Sequence, residues 1–202
     1  MRKRLKIFVA SPGDVDFLRD LVVKVVGDIN DTFGRFNPCI ETFMWEYDTE
    51  PGYADIAQIA IDRSAGDSFD IFLGLLWHRF GTPVLAAGSG FEHEYLRAIK
   101  LFKEKNPELK VWMCRYGANL PQKDVVPQQF AALEAFLATH QNKWIQLGIK
   151  RGTINSKAKF ESVLRKELLR LVPQAAQQEP DPTGNLKNLV GSEKLRPIKP
   201  PR

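Results

Sequence analysis

Two carboxylates spaced two residues apart, Glu92 and Glu94, follow Gly88-Ser89-Gly90 at the start of a helical pattern. On a helix they are turned about 200° from each other, so they cannot share a face. One is directed to solvent and the other toward whatever the helix packs on. Just upstream, Trp77-His78-Arg79-Phe80-Gly81-Thr82-Pro83 carries two aromatics and a guanidinium. A carboxylate held beside Trp77 and Phe80 would be partly desolvated and suited to stabilising a developing positive charge. The plainer reading makes both glutamates surface residues, with Ser89 or Ser89-Gly90 as the cap and Glu92 a first-turn acid favoured by the helix dipole. Spacing leaves both readings open.

Two further loops bear on chemistry. In Ser11-Pro12-Gly13-Asp14, Ser11 is expected as a helix N-cap, Pro12 at the first helical position and Asp14 as a capping-box acid. The alternative is that Gly13 admits a ligand closely and that amides at the helix start meet a phosphate. The acidic stretch Glu46-Tyr47-Asp48-Thr49-Glu50 ends in Pro51-Gly52-Tyr53, which fits either a solvated turn or a loop that closes over a ligand. Cys39 and Cys114 fall in predicted strands with no CxxC or Cys/His spacing, and His78, His93 and His140 are scattered. Buried free thiols in a reducing cytosol follow, with no metal site.

These loops need a scaffold, and the pattern supplies one by alternation. Predicted strands are residues 5–10 (LKIFVA), 38–45 (PCIETFMW), 69–77 (FDIFLGLLW), 110–116 (KVWMCRY) and 143–149 (KWIQLGI). Predicted helices are 15–33, 54–64, 91–105, 127–140 and 156–171, the first with apolar residues at helical spacing from Phe17 to Ile29. Five such alternations predict an α/β fold with a five-stranded, mainly parallel sheet and helices on both faces. Phe69 to Trp77 is the most hydrophobic run and is expected at the centre of the sheet. Ligands of open α/β sheets bind beyond the carboxyl ends of the strands, where the three loops lie.

The 202 residues suit one core, here residues 1–172, followed by a tail. From 173 to 202, six prolines and no periodicity predict a disordered linker or docking tail that joins a partner domain or protein. The net charge of +5 is spread along the chain without a recognition-helix or RNA-binding motif, so no direct nucleic-acid binding is expected. No apolar run reaches the roughly 20 residues of a membrane span, and the first strand is too short for a signal-peptide core. A cytoplasmic protein without membrane association is expected.

Three segments in order, KIFVASPGDVDFLRD (6–20), FDIFLGLLWHRFGTP (69–83) and SGFEHEYLRAI (89–99), resemble the TIR-like domain at the amino terminus of many NACHT-type and repeat-containing signalling and defence proteins. The resemblance covers about the first 170 residues. It implies a flavodoxin-like TIR fold and, in enzymatic members, a glutamate that cleaves the nicotinamide-ribose bond of NAD. By the Ser-Gly-x-Glu-x-Glu-x-x-x-Ala pattern that glutamate is Glu94. Trp77, Arg79 and Phe80 would line the nicotinamide-ribose pocket, Ser11, Pro12, Gly13 and Asp14 would face the rest of the dinucleotide, and Tyr53 would join them from the acidic loop. Leu18-Arg19 stands where family members often have Glu-Arg, which predicts that Arg19 lacks an acidic partner.

The implied activity is an NAD hydrolase, with NAD as substrate and no cofactor, acting when assembled in innate immune or anti-phage signalling. Breaking the bond to a cationic pyridinium gives a neutral leaving group, so one carboxylate beside the oxocarbenium-like ribose suffices. Self-association is expected, with the 46–53 loop as a gate ordered by a neighbouring copy. Two alternatives share the fold: a non-catalytic self-association module and a nucleoside deoxyribosyltransferase-like enzyme.

Overall fold

The computed structural model describes residues 4–33, 39–44, 68–84, 87–120, 123–143 and 154–177. Strand β1 (Leu5–Ala10) alternates its side chains between two cores. Ile7 and Val9 enter one, while Phe8 and Ala10 enter the other. The neighbouring strands β2 (Ile40–Phe43), β3 (Ile71–Leu76) and β4 (Lys110–Arg115) complete an all-parallel sheet in the order β2-β1-β3-β4. Register places Phe8 opposite Phe43 on one side and opposite Phe72 on the other. As expected of a doubly covered central strand, every residue of β3 is buried.

Four strands stand among the described residues where five are predicted. Most of the predicted fifth, residues 144–149, lies outside them, and Lys143 ends a 3₁₀ turn instead. Parallel pairing does continue past β4, but later in the chain. Tyr116 bridges Ile154, and the Gly117 N–H donates to the Ile154 carbonyl at 2.7 Å. The predicted 54–64 helix also lies outside the described residues.

Helices cover both faces. On one, α1 (Asp16–Phe33) buries Leu18, Val22, Val25, Val26 and Ile29 beside Phe160, Val163, Leu164 and Leu168 of α4 (Lys157–Gln177). On the other, α2 (Gly90–Glu104) and α3 (Pro127–His140) bring Phe91, Tyr95, Leu133 and Phe136 against Phe8, Phe72 and Met113. Pro127 opens α3, where its fixed φ and missing N–H cost nothing. Helix α4 runs five residues past the expected start of the tail at Pro173. Val172 is 6% exposed in the core and anchors that last turn, although Pro173 supplies no N–H to it. Residues 178–202 lie outside the described structure.

Leu18 is fully buried in the α1 core, which explains an aliphatic residue where the resembled family carries an acid. Arg19 nevertheless has an acidic partner, contrary to expectation. It pairs with Asp16 one turn earlier and donates to Ser11 Oγ at 2.6 Å and to the Pro12 carbonyl at 3.3 Å.

Candidate functional site

The sheet order reverses between β1 and β3, so the loops leaving these two strands border the crevice where such sheets take ligands. The first loop does not cap α1 as predicted. The Val15 carbonyl begins the helix by accepting from Leu18 and Arg19 N–H, and Ser11 Oγ is occupied by Arg19. Asp14 turns away from the helix toward the other loop. Its Oδ2 accepts the backbone N–H groups of both His78 and Arg79 at 2.9 Å. The capping reading fails because helix α1 starts at Asp16, four residues later than a Ser11 cap requires.

The loop after β3 is gripped again from the opposite side. Gln129 Oε1, in the first turn of α3, accepts the N–H groups of Phe80 and Gly81 at 3.0 and 2.9 Å. Four successive amides are thus taken by two side chains, and Gly81 adopts a φ of 100° that a side chain would disfavour. Nothing in the sequence marked Gln129, because its partner lies 48 residues away. The Asp14 and His78 side chains are each 3% exposed, with Nε2 3.7 Å from Oδ2. That separation is too long for a hydrogen bond. Asp14 Oδ1 and His78 Nδ1 have no hydrogen-bond partner among the described residues.

The start of α2 follows the expected chemistry. Ser89 is the N-cap and accepts the Glu92 N–H at 3.0 Å, while the Glu92 carboxylate reaches back to the Gly88 N–H at 2.7 Å. This is a capping-box exchange displaced by one residue. Glu94 lies on the other side of the helix, 5% exposed, in the arc occupied by Phe91, Tyr95, Ala98 and Leu101. It is the one carboxylate among the buried residues of this helix.

The remaining residues do not converge as a single wall. Trp77 packs edge-on against Phe17 and Tyr116 on the α1 face, and its indole N–H points to the Ala118 carbonyl at 3.4 Å. Phe80 is buried on the α2 face against Phe136. The sheet therefore separates these two aromatics. Arg79 is exposed, and its guanidinium makes no hydrogen bond or ion pair with the described residues. Space above Gly13 is open, whereas Pro12 is buried. Tyr53 and the rest of the acidic loop lie outside the described residues.

A cavity of about 380 Å³ lies elsewhere, lined by Lys6, Phe8, Glu41, Phe43, Ser68 and Phe69. Among the described residues no cluster of His, Cys, Asp and Glu is arranged for a metal, and no helix is long and apolar enough to cross a membrane. Both cysteines are free. Burial pushes the Cys114 thiol up to about 12, and partial burial raises Cys39. Burial, with Lys143 nearby, lowers His140 below its ordinary value against an opposing pull from Glu92.

No protein-family model matches this chain, and no curated protein is significantly similar to it.

Proposed function

We propose that this chain is a flavodoxin-like, TIR-like NAD hydrolase, active when assembled, in cytoplasmic innate immune or anti-phage signalling. The observation that carries the reading is Glu94: a carboxylate 5% exposed, on the buried arc of a helix whose start abuts the loop leaving β3. The parallel sheet with its reversal between β1 and β3 supports a ligand crevice at that end.

In this reading NAD places its ribose beside Glu94. The bond between ribose C1′ and the pyridinium nitrogen breaks, and its electron pair leaves with nicotinamide, which becomes neutral. The Glu94 carboxylate offsets the positive charge left on the ribose. Water then adds at C1′ and releases its proton, giving ADP-ribose. Activity depends on self-association, with the 46–53 loop as gate and the tail joining a partner domain.

The test is nicotinamide release by purified, concentrated or artificially clustered protein. Wild type releases nicotinamide and Glu94→Gln does not. Release that persists undiminished in Glu94→Gln removes the catalytic role. A rate per molecule that stays constant on dilution removes the assembly requirement. The core packing of Trp77 and Phe80 favours one second reading, a non-catalytic self-association module of the same fold. Absence of nicotinamide release at every concentration selects it.

A further inference from the structure

We propose that Arg79 is the specificity-determining residue of the crevice and recognises the diphosphate of a nucleotide ligand. This rests on the crevice reading above and names its anion-binding group. Open α/β sheets commonly hold phosphates on free amides of glycine-rich loops and helix starts. Here many of the amides at those places are engaged. Asp14 and Gln129 take the N–H groups of residues 78–81. At the start of α2, the N–H groups of Gly88, Gly90 and Glu92 go to Glu92, Thr82 and Ser89. At the start of α1, an anion would meet the carboxylates of Asp14 and Asp16, and the nearby Arg19 is already committed to Asp16, Ser11 and Pro12.

Among the described residues of these loops, Arg79 is the cation left for a ligand. Its backbone N–H is fixed by Asp14 while its side chain stands exposed at the carboxyl end of β3. The double clamp holds the loop rigid, so the guanidinium is presented from a fixed base. Within the nicotinamide-ribose pocket, where the family resemblance puts it, a guanidinium close to the ring would meet a pyridinium of like charge. The diphosphate is the part of the dinucleotide that a planar, bidentate donor suits.

Binding of ADP-ribose and of nicotinamide riboside, which lacks phosphate, to the full chain tests this in wild type, Arg79→Gln and Arg79→Lys. Arg79→Gln is expected to weaken ADP-ribose binding by about tenfold or more while leaving nicotinamide riboside unchanged. Arg79→Lys should recover part of the loss, and all three proteins should melt alike because Arg79 is exposed. With NAD as substrate, Arg79→Gln should raise KM and leave kcat nearly unchanged. Equal loss for both ligands, no loss for either, or no ADP-ribose binding by wild type overturns the proposal. If ADP-ribose binds through Arg79 but clustered protein never releases nicotinamide, the anion site stands and the hydrolase reading falls. If nicotinamide is released with an unchanged KM in Arg79→Gln, the hydrolase reading stands and the anion site falls.

Discussion

The two faces of the sheet are built from different materials. The α1/α4 face is largely aliphatic, with Val22, Val25, Ile29, Leu164 and Leu168 packed over Ile7, Val9, Ile71 and Leu73. Lys24, Asp28, Glu161 and Arg165 link the two helices at its rim, and its buried cation, Arg19, is paired with Asp16 and Ser11. The α2/α3 face is aromatic. Phe136 alone contacts Phe80, Phe91 and Tyr95, and Glu94 is buried on the helix that lies there. One face holds the molecule together with little polar cost. The other buries a carboxylate on a helix lined by aromatic rings.

Breaking each face should therefore have different consequences. Phe160→Ala empties a fully buried site on the aliphatic face and should cost about 3–5 kcal/mol in chemical denaturation. Where folded, the variant should retain its specific activity. Phe136→Ala should cost a similar amount and also lower activity, because it removes the ring support beneath the helix bearing Glu94. Equal retention of activity by both variants would erase the functional distinction between the faces. Glu94→Gln should lower nicotinamide release by about 100-fold or more. Its melting temperature should change little, since Gln keeps the size and shape of the side chain. A large drop in stability would instead make Glu94 a structural acid.

Gln129→Ala sharpens the comparison more gently. Loss of its carbonyl leaves the Phe80 and Gly81 amides without their acceptor and should cost about 1–3 kcal/mol. Hydrogen exchange at those two amides should speed up while the β1 amides stay protected. The smallest effect belongs to the rim of the aliphatic face. Asp28 is held below its ordinary value chiefly by a hydrogen bond from Arg165, and Glu161 chiefly by one from Lys24. Carboxyls lowered in the folded state stabilise it fully above their unfolded values, near pH 4, and lose that contribution as the pH falls through the folded values. Arg165→Ala should flatten this acid limb of the stability curve. Both carboxyls are partly exposed and solvent-screened, so the change should be slight.

Much of the scaffold was legible in the chain because burial imposes periodicity. The unbroken apolar run at 71–76 announced a strand covered on both faces, and Ser89 followed by Glu92 announced the start of α2. The 200° separation of Glu92 and Glu94 meant that the two could not share a face, and the structure buries Glu94 while Glu92 reaches back to the Gly88 amide. The misreadings came from contacts remote in sequence. Asp14 resembles a capping acid locally, yet its partners are amides 64 and 65 residues away. Gln129 carried no local signal at all. Trp77 and Phe80 look like neighbours in a loop, but they pack into opposite cores. Arg19 seemed to lack an acid because position 18 is aliphatic, whereas Asp16 meets it one helical turn away.

The packing of α1 on α4 also bears on how the chain is made. The stripe Leu18, Val22, Val25 and Ile29 is finished early in synthesis, but Phe160, Val163, Leu164 and Leu168, which cover it, come more than a hundred residues later. At translation rates of about 5–20 residues per second, the stripe waits roughly 6–25 s for its cover. During that interval the emerging sheet has one aliphatic face unroofed. The protein is then most open to aggregation and to chaperones on the ribosome, and a ribosome stalled before residue 157 would display a sticky, half-built fold.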